Sequence, residues 1–162
     1  MPIIETSPLQ EFLNYISFQK RYSKHTVLSY QNDLTSFLEF LFSQYSIIDI
    51  KEIQTSMIRT WLASLKENKV SSKTINRKIS CLKSFFKHQL KTQNIHASPM
   101  GSISSLKVNR RLPSFIDQKD IHSLLNNDFF PSSFKGKTDH LIIEILYQTG
   151  IRRSELLTLK EH

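Results

Sequence analysis

Between Glu67 and Asp117 the chain has no acidic residue, yet that stretch holds ten of its 22 Lys and Arg: Lys69, Lys73, Arg77, Lys78, Lys83, Lys87, Lys91, Lys107, Arg110 and Arg111. Elsewhere twelve basic residues nearly balance the 14 acidic ones. The absence excludes the usual solvated helix face, on which Glu and Lys alternate to form i,i+4 pairs. Charge gathered in one stretch and purged of its opposite sign implies a polyanionic partner, with nucleic acid the leading class. Cysteine is equally scarce. A single Cys81 forms no internal disulfide, and no second Cys or paired His spacing suits zinc, so a reducing cytoplasm is expected and Cys81 reads as a small buried hydrophobe. Only three Gly, five Pro and few alternating runs disfavour a β-fold. No apolar run approaches the ~20 residues of a membrane span, and Met1 to Ser7 has no signal-peptide pattern. Docking on anionic lipid is disfavoured because the basic face lacks flanking Trp or Phe anchors.

What the chain has is helical periodicity and eleven Phe for a core. Ser7-Pro8-Leu9-Gln10 predicts a helix start, with Leu9, Phe12, Leu13 and Ile16 inward as far as about Arg21. Ser23 predicts the cap of a second helix whose stripe is Val27, Tyr30, Leu34, Phe37, Leu38, Leu41 and Tyr45. Ser46 to Ile53 is apolar and β-branched and predicts a short extended link. Thr55 is then the expected cap of a third helix burying Ile58, Trp61, Leu62 and Leu65.

In the fourth helix charge and core meet. With Ser71 as cap, Ile75, Ile79, Leu82, Phe86 and Leu90 share one face. At 100° steps Lys73, Asn76, Arg77, Ser80, Lys83, Ser84, Lys87 and Lys91 cluster on the opposite face within about 120°. One face builds the core and the other offers a row of cations.

After Ala97-Ser98-Pro99-Met100-Gly101 the periodicity ends. Residues 102–113 are Ser-rich and basic and read as a linker between a first domain, 1–101, and a second, 114–162. In the second, a short helix is expected from Asp117 to Leu125, a loop from Phe129 to Lys137, a helix capped by Thr138 and stopped by Gly150, and a last helix from Ser154 to Lys160. Residues 114–162 are few for a domain with a full core, so residues outside the chain are expected to complete it.

Several stretches, in order, resemble one family, the tyrosine recombinases or phage integrases, in their XerC and XerD branch. Ser23, Thr26, Tyr30, Asp33 and Leu34 look like its S-x-x-T-x-x-x-Y-x-x-D-L signature. Ile58-Arg59-Thr60-Trp61-Leu62 and the run Ser71 to Ser80, with Leu82, Phe85 and Phe86, are similar to its third and fourth helices. Asn94 to Pro99 and Arg111-Leu112-Pro113 are similar to the exit into its interdomain linker. Thr149-Gly150-Ile151-Arg152-Arg153-Ser154-Glu155-Leu156 looks like the T-G-[LI]-R-x-S-E-L motif that bears the first catalytic arginine.

The resemblance implies an all-α protein: a SAM-like core-binding bundle of four to five helices, a linker, and the first helices of a mainly-α catalytic domain, together clamping duplex DNA. It implies site-specific recombination in which a tyrosine hydroxyl displaces a 5′ oxygen and forms a 3′-phosphotyrosyl link, without metal or nucleotide cofactor. Arg152 is then the expected catalytic residue, a guanidinium bridging two phosphate oxygens in the transition state. The family's lysine, His-x-x-Arg pair, further His or Trp and nucleophilic tyrosine are expected beyond His162, so this chain is expected to bind DNA without cutting it. Its start near the first helix is expected to leave no room for the arm-binding domain of lambda-type integrases, which favours a simple Xer-like recombinase for chromosome-dimer resolution, with a mobile-element integrase of the same plan as the other expected role. A tetramer on DNA, with a paralogous recombinase as partner, is the expected assembly of the full-length protein; no membrane or small-molecule partner is expected.

The expected DNA contacts are Lys24, His25 and Thr26 at the start of the second helix, Lys73, Thr74, Asn76, Arg77, Lys83 and Lys87 on the fourth, and Arg110 and Arg111 in the linker. Most would be phosphate contacts, with Asn76 and Arg77 reaching base edges. The alternative from a different class is a non-catalytic DNA-binding module or repressor derived from a recombinase. An RNA-binding domain is disfavoured for want of an aromatic platform, and a helix-turn-helix repressor because the fourth helix is long and lacks the short preceding turn.

Overall fold

The computed structural model describes residues 6–47, 49–108, 114–126 and 129–160. Among these there are seven α-helices and no strand: α1 Thr6–Asn14, α2 Lys24–Tyr45, α3 Thr55–Glu67, α4 Ser72–Lys91, α5 Gln118–Asn126, α6 Phe134–Thr149 and α7 Arg153–Leu156. The chain divides into two compact units, Met1–Asn109 and Arg110–His162.

The first unit packs α1 to α4 around an aromatic centre. Phe12 meets Phe85 edge-on at 5.5 Å, Phe85 meets Phe86 at 5.2 Å, and Phe37 lies 4.9 Å from the Trp61 ring. All five are sealed from solvent, with Leu34, Leu41, Ile58, Ile75, Ile79 and Leu82 filling the gaps between them. Cys81 is buried, its Sγ 3.8 Å from the Tyr30 carbonyl, and burial pushes its thiol up to about 12. It is the small hydrophobe its isolation in the sequence suggested.

Local departures from the sequence reading each have a cause. The helix expected to run to Arg21 leaves α geometry after Asn14 and continues as a π-helical turn, Tyr15–Gln19, closed by the Lys20 N–H on the Tyr15 carbonyl. The expected extended link contains a 3-10 turn, Ile50–Glu52, started by the Asp49 carboxylate accepting the Lys51 N–H at 2.9 Å. Ile47, Ile50 and Ile53 are all buried, a three-residue spacing that suits 3-10 geometry and outweighs β-propensity. Thr55 does not cap α3. Gln54 holds the cap position, and the Thr55 hydroxyl instead donates to the Pro99 carbonyl at 2.8 Å, tying α3 to the segment that follows α4. Near the end of α4 the buried stripe moves toward α1: His88 and Gln89 are buried, Leu90 is exposed, and the Gln89 amide donates to the Pro8 carbonyl. Tyr45, expected inward, is likewise exposed at the last turn of α2.

In the second unit Ser133 caps α6, accepting the Gly136 N–H at 3.2 Å, so the helix starts within the expected loop and Thr138 lies inside it, its hydroxyl on the Phe134 carbonyl. A Cβ at Gly136 would stand 2.0 Å from the Pro131 carbonyl oxygen, so only glycine fits this close approach. Gly150 ends the helix at φ 64°, the stop expected of it. The last helix is a single turn at Arg153–Leu156, shorter than expected. Among the described residues of this unit no hydrophobic side chain is buried, and Phe115, Phe129 and Phe134 are largely exposed. No helix among the described residues is long and apolar enough to cross a membrane.

Candidate nucleic-acid interface

The starts of α2 and α4 are built alike. Ser23 Oγ accepts the Thr26 N–H at 3.3 Å and lies 2.9 Å from the Thr26 hydroxyl; Ser71 Oγ accepts the Thr74 N–H at 3.2 Å and lies 2.9 Å from the Thr74 hydroxyl. Each Ser-x-x-Thr thus closes its first turn while N–H groups just inside the cap, at Lys24, His25, Ser72 and Lys73, stay outside the intrahelical ladder. These groups carry the positive end of the helix dipole, where anions bind.

The two starts lie side by side. Ser29 and Arg77 are each the sixth residue of their helix, and Arg77 Nη1 donates to Ser29 Oγ at 2.5 Å. Further along, Phe37 and Phe86 meet at 6.5 Å, so the two helices run in the same sense and both positive ends fall at one end of the bundle. The lock between them is Asp33, a buried carboxylate on α2. It takes both Nη groups of Arg77, Nη2 at 3.0 Å, and Lys78 Nζ at 2.9 Å. Lys78 also sits 5.5 Å over the Trp61 ring, which ties α3 into the same cluster.

Around this end the expected contact residues fall into three groups. Lys24, His25 and Lys73 are exposed on the first turns, with Thr26 and Thr74 half-buried beside them, and Lys83 and Lys87 continue the exposed row along α4. Asn76 and Arg77 have partners within the chain. The Asn76 amide donates to the Leu106 carbonyl at 2.9 Å and accepts the Leu106 N–H at 2.8 Å, a two-bond latch across 30 residues, while Arg77 is pinned by Asp33 with its side chain half-exposed. Arg110 and Arg111 lie outside the described residues.

The latch continues a seam. Ile95, Met100 and Ile103 are buried in the first unit's core, and Arg59 donates to the Ser102 hydroxyl at 2.9 Å. The segment after α4 is therefore fastened as far as Leu106, and Lys107 is the first cation beyond the last clasp. Removing the Asn76 side chain should free that end. Without its two hydrogen bonds, the Leu106 amide of Asn76→Ala is expected to exchange about tenfold faster, and of Lys73→Ala no faster; equal exchange in Asn76→Ala would mean that the latch is not closed in solution.

Arg152 belongs to the second unit. It caps α7, its N–H donating to Glu155 Oε2 and its Nη1 to Oε1, both at 2.9 Å, with the side chain 82% exposed. The Arg152 N–H, and after it the guanidinium, hold the Glu155 carboxyl below its usual range. The Thr149 hydroxyl, bonded to the Ile145 carbonyl at 2.6 Å, accepts the Ile151 N–H at 3.2 Å. The Thr-Gly-Ile-Arg-x-x-Glu order thus has a local logic: a left-handed glycine ends α6, threonine holds the turn, and glutamate orients the arginine.

Sequence reasoning missed the pairing of Asp33 with Lys78. The signal available was an acid set directly before a core leucine, opposite a helix that has no acid of its own.

The phage integrase N-terminal SAM-like domain matches residues 9–93, which contain both Ser-x-x-Thr starts and the Asp33 lock. The chain belongs to the phage integrase family. Over 146 residues, 90% of this chain and 48% of the relative, it is 35% identical to the tyrosine recombinase XerC of Listeria innocua serovar 6a. It is 33% identical to the tyrosine recombinase XerD of Rickettsia bellii over 94% of this chain and 49% of that one, and 31% identical to the XerC of Bacillus licheniformis over 93% and 49%. This integrase-family chain spans about half the length of the curated relatives it matches. No solved structure matches it.

Proposed function

We propose that this chain is the DNA-gripping part of a site-specific tyrosine recombinase of the Xer type, with residues 1–101 as core-binding domain, 102–113 as interdomain linker and 114–162 as the start of the catalytic domain. The observation that carries the reading is the pair of Ser-x-x-Thr helix starts held side by side by Asp33 and Arg77, with exposed Lys24, His25 and Lys73 around them. Two positive helix ends flanked by cations suit phosphates on a duplex backbone, whereas base reading by Asn76 would require the Leu106 latch to open. Arg152 is the proposed catalytic cation: Glu155 engages one edge of its guanidinium, and the remaining donors suit phosphoryl oxygens as charge builds on them. The chain is taken to bind DNA without cleaving it, because none of its five Tyr falls in a stretch that resembles the family's nucleophile position.

Fluorescence anisotropy on a ~30-base-pair duplex tests the binding. Neutralising some five phosphates gives a log-log salt slope of about -4 to -5. A slope near zero, or equal competition by single-stranded RNA, would overturn the reading. A covalent adduct on a suicide duplex would overturn the claim that the chain does not cleave.

A further inference from the structure

We propose that the cleft between the π-helical turn Tyr15–Gln19 and the C-terminal half of α4 is a phosphate seat, occupied by the backbone of the same duplex that the helix starts hold. The inference rests on the DNA-binding reading above and extends it to residues outside that surface, Lys20 and Lys91.

The cleft holds about 370 Å³, enough for a phosphate with its sugar, and Lys20, Lys87 and Lys91 all line it. Lys20 and Lys91 reach the same ring, their Nζ atoms 5.9 and 5.8 Å from the Tyr15 centroid. Two ammonium groups over one tyrosine, with a third lysine on the wall, gather positive charge that a bound anion would neutralise. Ser84 and Tyr22 add neutral hydroxyl donors to the wall. His88 lies against Tyr15 at 4.5 Å and also lines the cleft; it is 8% exposed, and its buried Nδ1 has no hydrogen-bond partner among the described residues. Glu11, the carboxylate acting on His88, lines an adjoining hollow and not this cleft.

Helical geometry joins this cleft to the surface already described. Lys73 and Lys91 are 18 residues apart, five full turns, so they leave α4 in the same direction about 27 Å apart. That distance spans about eight base-pair rises along a duplex axis. A duplex laid along α4 from its first turn therefore passes the cleft, where Lys20 and Lys91 would take one of its phosphates.

The test compares Lys20→Gln/Lys91→Gln with Lys73→Ala, using salt-dependent anisotropy and phosphate-ethylation interference on the ~30-base-pair duplex. The double variant is expected to lower the salt slope by about two and to lose interference at phosphates about eight base pairs from those that Lys73→Ala releases. If the double variant leaves both readouts unchanged while Lys73→Ala lowers the slope by about one, the seat is refuted and the DNA-binding reading stands. If neither variant changes the slope, the duplex does not lie along α4, and both the seat and its placement at the helix starts fail. A third arm titrates inorganic phosphate while following the His88 ring resonances by NMR. Resonances that move with phosphate but not with duplex would make the cleft a small-anion site and overturn the proposal; movement with duplex supports it.

Discussion

Asp33→Ala is expected to destabilise the first unit by about 3–5 kcal/mol, the cost of stranding a buried charge after its partner is removed. Most of that comes from Lys78, whose side chain is only 13% exposed and would keep the Trp61 face as its one compensation. Arg77, at 49%, rehydrates, and its share is that of a surface pair, about 1 kcal/mol or less. Urea unfolding followed by the fluorescence of Trp61, the single tryptophan, reads the change. The double variant Asp33→Ala/Lys78→Met separates charge from packing, because an apolar replacement of a buried pair is often neutral or better. It should recover most of the loss. If Asp33→Ala costs under ~1 kcal/mol, Lys78 must find water in the folded state and the lock is a surface feature. The functional consequence lies in geometry: without Asp33 the two helix starts lose the carboxylate that clamps them and keep the weaker Arg77–Ser29 contact, so DNA affinity should fall even where the unit remains folded.

Much of this arrangement can be read along the chain, and most of the misread side chains share a cause. Ser23 and Ser71 can be recognised as caps because capping is local: a hydroxyl meets an N–H three residues on, and the sequence shows both partners. Gly150 is local in the same way. Thr55 looks identical to those caps, but its hydroxyl finds a carbonyl 44 residues away, and no window of sequence contains that competitor. The same holds for Asn76, which on a helical wheel is one more polar residue on the basic face and in the fold is the clasp for Leu106. Arg77 lies on that face too, yet the wheel does not show that Asp33 arrives from α2 to pin it. His88 and Gln89 are polar residues buried by α1, with Gln89 satisfied by the Pro8 carbonyl and by Asn94. The start of α6 at Phe134 is obscured by Pro131 and Gly136, which read as loop signals until their close approach is seen. Periodicity therefore finds the helices and most of their core faces, while the misread side chains, Thr55 and Asn76 above all, have partners distant in sequence.

The same distinction governs how the charge should be tested. Of the cations in the acid-free stretch, Arg77 and Lys78 are engaged by Asp33, so replacing them would confound binding with folding. Lys73 and Lys83 are exposed on α4, as is Lys24 on the neighbouring helix start. Lys24→Ala/Lys73→Ala/Lys83→Ala should therefore leave urea stability within about 0.5 kcal/mol of the parent, as surface substitutions usually do. Leaving three phosphates without their cations would flatten the salt slope by about 2.7 and, carried from ~1 M down to ~0.15 M salt, weaken duplex binding about a hundredfold. Sequence should hardly matter to that loss, because lysines on the phosphate backbone position the protein without reading bases. A loss of that size confined to one duplex sequence would mean that these lysines reach base edges. An unchanged slope with unchanged stability would mean that the duplex lies elsewhere on the chain, and that the paired helix starts are joined for folding alone.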